Sequence, residues 1–221
     1  MLEVYLFVNP IGENCLAAES SVLKLATARH EKVHYQFLPL VNLNTVERVM
    51  DRQQLNSHDL NQRNHVFQTI YHAALDYKAA LFQGKRKGQQ FLMALQQALN
   101  LDHRAYSDDL ITSLADQARL DPAMFQEDRR AKLAQESFES DQRIACEMGI
   151  QDHPSAVIFN YDSPAKNYGI LVENCTAFQT LNTIREDSLK QTPAPVFHGN
   201  LHTHQSTTSC EAFYRTLAHT A

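Results

Sequence analysis

The first forty residues pass from one apolar run, through a helical pattern, to a second apolar run. Residues 2–8 (LEVYLFV) are almost continuously apolar, which is typical of a central strand covered on both faces. Asn9 and Pro10 end this run, because proline lacks the N–H that a strand ladder requires. Apolar positions recur at helical spacing in residues 16–29, and residues 33–40 predict a second strand. Strand, helix and strand joined by short links predict a βαβ unit with parallel strands.

The middle of the chain changes to helical periodicity. Between about residue 60 and residue 148, strong helix formers recur at helical spacing in the segments 66–81, 89–99, 108–118 and 122–146. Asp121 followed by Pro122 has the form of a helix N-cap and a first-turn proline. The pattern predicts an all-helical subdomain of about four helices.

Strand character returns after the helical block. Residues 155–161 and 169–173 predict a hairpin with turn-forming residues between them, and residues 176–189 predict a helix. This order predicts an α/β fold, a thioredoxin-like sheet with a helical insertion between its βαβ and ββα halves. We therefore expect a discontinuous thioredoxin-like domain (1–59 and 149–190) and an inserted helical subdomain (60–148). A tail rich in His, Ser and Thr (191–221) follows, with a short helix expected at 210–217.

Composition narrows the possible functions. The net charge of −5 and the lack of a basic run interleaved with aromatic residues disfavour binding to nucleic acid. No apolar stretch approaches the roughly 20 residues that span a bilayer, and the acidic Glu3 disfavours an export signal at the start. The chain is expected to be cytoplasmic, with its 4 cysteines as free thiols. Neither a G-x-S-x-G motif nor a phosphate-binding glycine loop is present.

A cysteine at the beginning of the first predicted helix marks the candidate site. Thioredoxin-like enzymes carry an attacking cysteine there, stabilised as a thiolate by the helix N-terminus, and a resolving cysteine three residues later. The corresponding window is Gly12-Glu13-Asn14-Cys15. Cys15 takes the resolving position, whereas Gly12 stands where the attacking cysteine would be. Since glycine has no nucleophile, dithiol exchange is disfavoured, and Cys15 is expected to be a small buried apolar residue.

A second signature lies directly before the third predicted strand. Pro154 follows His153 at the position where thioredoxin-like proteins carry a proline preceded by a cis bond and lying against the redox loop. X–Pro bonds are the only ones in which the cis form is commonly retained. We therefore expect His153–Pro154 to be cis, although a trans proline can also begin a strand.

Several stretches of the chain match one family's pattern. They are residues 2–10 (LEVYLFVNP), 15–19 (CLAAE), 79–95 (AALFQGKRKGQQFLMAL), 120–125 and 144–154 (IACEMGIQDHP). On these stretches the chain resembles the YjbH/SpxH family, DsbA-like cytosolic adaptors that deliver the redox-stress regulator Spx to the ClpXP protease. Members commonly show C-x-x-C and a His- and Cys-rich N-terminal segment. Here the motif is Gly12-x-x-Cys15, and the chain starts at the first strand.

The resemblance implies an adaptor that binds Spx and promotes its degradation by ClpXP, with no cofactor and without disulfide chemistry. The implied partners are proteins, and the partner is expected in a groove beside the first helix, by backbone pairing. That groove would comprise Pro10, Gly12, Cys15, His153, Pro154 and Ser155. The alternative is a DsbA-family thiol-dependent oxidoreductase or a glutathione-handling enzyme using Cys15 or the helix N-terminus.

Two further clusters have ordinary explanations. His198, His202 and His204, with Cys210 beyond them, have ligand chemistry, but their spacing matches no standard zinc motif, so we do not expect a metal site. The basic run 85–87 (KRK) is expected to be a solvated turn between helices that can also contact an acidic partner.

Overall fold

The structure, a computed structural model, describes residues 1–27, 33–161 and 169–189. In chain order the elements in these residues are β1 (Leu2–Val8), α1 (Cys15–Thr27), β2 (Val33–Pro39), α2 (Leu43–Arg52), α3 (Leu60–Phe82), α4 (Lys85–Asn100), α5 (Asp108–Gln117), α6 (Pro122–Asp128), α7 (Lys132–Glu147), β3 (Ser155–Asn160), β4 (Gly169–Glu173) and α8 (Phe178–Leu189). The predicted α/β fold, with a helical insertion between a βαβ half and a ββα half, is confirmed.

The strands form one mixed sheet in the order β2-β1-β3-β4. β1 runs parallel to β2, as predicted, with Leu2 beside Val33. β3 is antiparallel to β1 and pairs with β4 as the predicted hairpin. Because Phe7 lies opposite Ser155, the carboxyl end of β1 meets the amino end of β3 at one edge of the sheet. The segments that carry the candidate site follow β1 and precede β3, so the topology brings them together.

Both faces of β1 are covered, as its continuous apolar run predicted. Leu2, Val4, Leu6 and Val8 point into a buried cluster that includes residues of α1 and α8. Phe7 points to the opposite face, where it joins a cluster with residues of α7. Because both faces of β1 are buried, this strand holds the start of the candidate site, which directly follows it, in a fixed position.

The helices α3 to α7 form the insertion and share a hydrophobic cluster with α2. The α3–α4 pair also contributes Tyr77 and Leu92 to the cluster under the sheet. Gly88 allows α4 to approach α3 closely, because a Cβ at this position would lie 2.7 Å from Leu81 Cδ2. The insertion is therefore packed against one face of the sheet by α3 and α4 and against the other face by α7.

The structure corrects the sequence prediction at two helices. The segment 122–146 is not one helix: α6 ends at Asp128 and α7 begins at Lys132. The break carries neither proline nor glycine, and it begins at Arg129, whose Nε donates to the buried carboxylate of Asp76 at 2.5 Å. α2 was not predicted, and the insertion therefore follows an additional helix that packs beside the site. The two errors differ in kind: the break at Arg129 has no proline or glycine to signal it, whereas α2 begins at a capping box formed by Asn42 and Thr45, which is a local signal.

The described residues, 1–27, 33–161 and 169–189, belong to one compact unit. The division of this unit into a thioredoxin-like domain and a separate subdomain at 60–148 stays a prediction. The predicted turn at 162–167 and the tail helix at 210–217 lie outside the described residues. Among the described residues, no helix is long and apolar enough to cross a membrane.

Candidate functional site

The candidate site is formed where the end of β1, the start of α1 and the loop before β3 meet. Cys15 is the first residue of α1 and is fully buried. Its Sγ lies 3.5 Å from His153 Nδ1 and accepts a hydrogen bond from the backbone N–H of Asn9 at 3.3 Å. The His153–Pro154 bond is cis, as predicted. The structure thus brings together the two motifs that the sequence singled out, although they are 138 residues apart.

Gly12 fits closely against Cys15. Its N–H donates to the Asn9 carbonyl at 2.8 Å, which folds the segment back on itself. A Cβ at position 12 would lie 2.9 Å from Cys15 Sγ and 3.0 Å from Asn9 Cβ. In a disulfide with an S–S bond of about 2.05 Å, each Cβ lies roughly 3 Å from the partner sulfur. The backbone therefore keeps the spacing of a C-x-x-C motif, while the attacking sulfur is missing.

Cys15 is held as a neutral thiol. Burial raises the pKa of Cys15 well above its ordinary value, and the nearby Glu19 carboxylate raises it further. The hydrogen bond from Asn9 and the charge of Arg52 lower the pKa without reversing that direction. Because the thiolate is the attacking form of cysteine, this environment disfavours nucleophilic chemistry at Cys15.

His153 is likewise neutral. Burial is the main cause that lowers the pKa of His153 to about 4; Asp152 raises this pKa, and Arg48 lowers it. Asn9 fixes the tautomer: its Oδ1 accepts from the backbone N–H of Ile11 at 3.0 Å, so its Nδ2 faces His153 Nε2 at 3.5 Å. With Nε2 as acceptor, Nδ1 carries the proton and points to Cys15 Sγ.

A buried polar pair extends this network into the helical insertion. Glu19, one turn after Cys15, is 0% exposed, and its Oε1 accepts from Gln96 Nε2 of α4 at 2.7 Å. Burial raises the pKa of Glu19 to about 8, against the hydrogen bond from Gln96, which lowers it. Glu19 Oε2 and Gln96 Oε1 have no hydrogen-bond partner among the described residues. A protonated Glu19 supplies the donor that this pair lacks, so the carboxyl group is neutral at pH 7.

The unpredicted helix α2 covers the loop before β3. Arg48 forms an ion pair with Asp152, and its Nη1 donates to the His153 carbonyl at 3.4 Å. Arg52 Nη2 donates to the Ile11 carbonyl at 3.3 Å and its Nη1 to Asn100 Oδ1 at 3.0 Å. Two arginines from one helix therefore hold both loops of the site.

The residues expected to form the partner groove are all buried. This set comprises Pro10, Gly12, Cys15, His153, Pro154 and Ser155. The backbone of the loop is also occupied, because the Pro154 carbonyl accepts from the Cys175 N–H at 3.3 Å and the His153 carbonyl accepts from Arg48. The accessible part is a hollow of about 140 Å³ lined by Gly12, Glu13, Asn14, Arg48, Val49, Arg52 and His153.

Sequence reasoning missed the polar residues that connect the site. Glu19 was visible only as a carboxylate on the apolar face of the first helix. α2 had a signal, since Asn42 and Thr45 form a capping box before an apolar stripe of residues 46, 49 and 50. The contacts of Asn9 and Gln96 are long-range and had no local signal.

The residues with ligand chemistry that the sequence analysis considered and set aside, His198, His202, His204 and Cys210, lie outside the described residues. Within the described ranges, no group of three His, Cys, Asp or Glu side chains is arranged to hold a metal ion.

Comparison with known proteins agrees with this geometry. The ClpXP adapter protein SpxH of Bacillus subtilis is 25% identical over 211 residues, which cover 88% of this chain and 70% of the relative. The SpxH of Staphylococcus saprophyticus is 28% identical over 161 residues, covering 73% of this chain and 56% of the relative. The crystal structure of a putative protein disulfide isomerase from Nitrosomonas europaea has the same fold, with a TM-score of 0.60 and 10% sequence identity. The match covers 84% of this chain and 98% of that structure's chain. A family model described as thioredoxin matches residues 5–183, and the chain belongs to that thioredoxin family.

Proposed function

We propose that this protein is an adaptor that binds an Spx-like regulator in the cytoplasm and promotes its degradation by the ClpXP protease. The observation that carries the proposal is its similarity to SpxH proteins over 88% of the chain. Those relatives are named as ClpXP adapters. The geometry of the site supports the same conclusion, because binding requires the fold but not a thiolate.

The structure gives three reasons to prefer binding over thiol chemistry. Position 12 has no side chain, Cys15 is buried with its pKa raised, and His153 is neutral and buried. An oxidoreductase or a glutathione-handling enzyme needs an accessible, activated nucleophile or an open helix N-terminus. Here Gly12 and Cys15 are buried, and the exposed residues at the start of α1, Glu13 and Asn14, carry no thiol.

The partner is expected on the rim of the hollow rather than in its buried floor. Glu13 and Asn14 are exposed at the start of α1, and Arg48 is 49% exposed on the facing helix α2. Glu13 and Asn14 can reach a partner without disturbing the network around Cys15. An interface of modest area suits an adaptor, which must release its client to the protease.

The decisive experiment is degradation of purified Spx by purified ClpXP, with and without this protein, alongside a pull-down of each candidate partner. We expect faster degradation with the wild-type protein and with Cys15→Ser, which keeps the side-chain volume but removes the thiol. Asn14→Arg, which crowds the rim, is expected to slow degradation. Asn61→Arg makes the same change at an exposed position of α3 and serves as its control.

Two results would contradict the proposal. One is the absence of both binding and accelerated degradation for the folded wild-type protein. The other is insulin reduction or glutathione conjugation that disappears in Cys15→Ser, which would instead establish the enzymatic alternative.

A further inference from the structure

A second and larger groove lies on the other side of the α1 start. It has a volume of about 680 Å³ and is bounded by Leu16 of α1, by α4 and by the end of α5. Its apolar lining includes Leu16, Met93, Ala94 and Ala118, and its polar lining is formed by Arg86, Lys87, Gln90, Gln97, Gln117 and Arg119. None of these side chains is acidic. The sequence pattern predicted a solvated turn at residues 85–87 that can also contact an acidic partner; the structure places these residues in the first turn of α4 instead.

The cations of this groove are not neutralised by any carboxylate in the part of the chain that the structure describes. Arg86, Lys87 and Arg119 form no ion pair with a carboxylate of the described residues. The neighbouring Lys85 differs, because its Nζ lies 3.9 Å from the centre of the Tyr35 ring and donates to the Tyr35 carbonyl. The three residues of the basic run therefore have different surroundings: Lys85 contacts Tyr35, whereas Arg86 and Lys87 line the groove.

The position of these cations in α4 is electrostatically unfavourable. α4 begins at Lys85, and its first turn contains no acidic residue. The N-terminus of a helix carries a partial positive charge, so cations placed there repel it, whereas a bound carboxylate would be attracted. The whole chain has a net charge of −5, which makes a groove lined by three unpaired cations a local exception.

We propose that this groove binds an acidic segment of a partner protein, with its carboxylates on Arg86, Lys87 and Arg119 and an apolar side chain on Met93. Guanidinium and ammonium groups bind carboxylates through charge-assisted hydrogen bonds, and the glutamine amides can donate to the backbone of the same segment. Five of the lining residues are exposed, namely Arg86, Gln90, Gln97, Gln117 and Arg119. An open groove of this kind suits an extended peptide better than a small metabolite, which needs an enclosed pocket.

This inference deepens the proposed function, since an adaptor would use the groove to hold its partner, but it can be tested separately. The probe is a short fluorescein-labelled peptide that alternates glutamate with leucine, and the comparison peptide carries glutamine in place of each glutamate. Fluorescence anisotropy with the full-length protein measures both affinities at low and at high salt. We expect the acidic peptide to bind at least about tenfold more tightly, with a difference that shrinks in high salt.

The test variant is Arg86→Gln with Lys87→Gln, which removes two cations but keeps polar side chains in the first turn of α4. Its expected affinity for the acidic peptide is about tenfold lower. The control is Arg104→Gln with Arg143→Gln, which changes the net charge equally at exposed positions outside the groove. Arg119 is left unchanged because its φ of 57° would complicate any substitution.

Equal binding of the two peptides, or an unchanged affinity in the Arg86 and Lys87 variant, would overturn the inference. Displacement of the peptide by inorganic phosphate at low concentration would also do so, because it would assign the groove to a small anion. The adaptor proposal is judged separately by the degradation assay. If the protein accelerates Spx degradation but does not bind the acidic peptide, the inference about the groove is wrong and the proposed function stands. If it binds the acidic peptide but does not accelerate Spx degradation, only the proposed function is wrong.

Discussion

The substitution Glu19→Gln is expected to change how the stability of this protein depends on pH. Glu19 is 0% exposed, and burial raises its pKa from 4.5 to about 8. An acid with a higher pKa in the folded state binds more protons when folded, so its contribution to stability is lost as the pH rises between these two values. Each pH unit between these two pKa values lowers the free energy of unfolding by about 1.4 kcal/mol. The loss between about pH 5 and pH 8 is about 3.5 kcal/mol, slightly less than three full units because the group is only partly titrated at the two ends of this range.

Glutamine removes the titration while keeping the local hydrogen bond. Its carbonyl can accept from Gln96 Nε2 as Glu19 Oε1 does at 2.7 Å, and its amide supplies a donor for the unpartnered Gln96 Oε1. The variant and the wild-type protein are expected to have similar stability near pH 5. Near pH 8 the variant is expected to be more stable by about 3.5 kcal/mol.

The assay is urea denaturation at several pH values, followed by circular dichroism because the chain has no tryptophan. The quantity of interest is the difference in unfolding free energy between variant and wild type, since other titrating groups cancel in it. His153 is one such group: its folded pKa of about 4 makes stability rise with pH from about 4 to its ordinary value of 6.5. Glu13→Gln removes an exposed carboxylate and is the control. A difference that stays constant with pH for Glu19→Gln would refute the reasoning.

Three further predictions concern other parts of the structure. Gly12→Cys is expected to form a disulfide with Cys15 under mild oxidation, because a Cβ at position 12 would lie 2.9 Å from Cys15 Sγ; a thiol titration that still finds both thiols would contradict this. Arg129→Met is expected to lower the free energy of unfolding by about 3 kcal/mol in urea, because it leaves the Asp76 carboxylate buried without its cation. Asn42→Ala is expected to cost about 1 kcal/mol in the same assay, since Asn42 caps α2; no loss would mean that the cap is redundant.

The sequence predicted the sheet well because the strands carry strong periodic signals. β1 and β4 have the predicted bounds, and β3 differs only by its last residue. The parallel β1–β2 pair and the β3–β4 hairpin also followed from the order of strands and the lengths of their connections. These features depend on burial patterns and chain connectivity, which are visible in one sequence.

The bounds of the helices could not all be predicted from the sequence. Between residues 122 and 147 the composition favours a helix throughout, yet the chain leaves the helix at Arg129 to reach Asp76 on α3. The partner is 53 residues away, so no local pattern could indicate the break. The same holds for Gln96, which reaches Glu19 across 77 residues. The two thioredoxin-like motifs in the sequence predicted that Cys15 and His153 lie close together. They did not predict which polar residues contact them.

The chemistry of the candidate site favours binding of a partner at its exposed rim over a reaction at the buried Cys15. The polar groups around Cys15 contact one another: the Asn9 backbone N–H donates to the sulfur, the neutral His153 lies beside it, and Gln96 donates to Glu19. A site built for disulfide exchange would instead expose a thiolate to its substrate. The first turn of α1 separates this closed network from the basic groove, because Cys15 belongs to the network and Leu16 lines the groove. A partner protein that contacts the rim of the hollow and the groove would therefore meet one continuous element, the start of α1, without any need for the buried thiol.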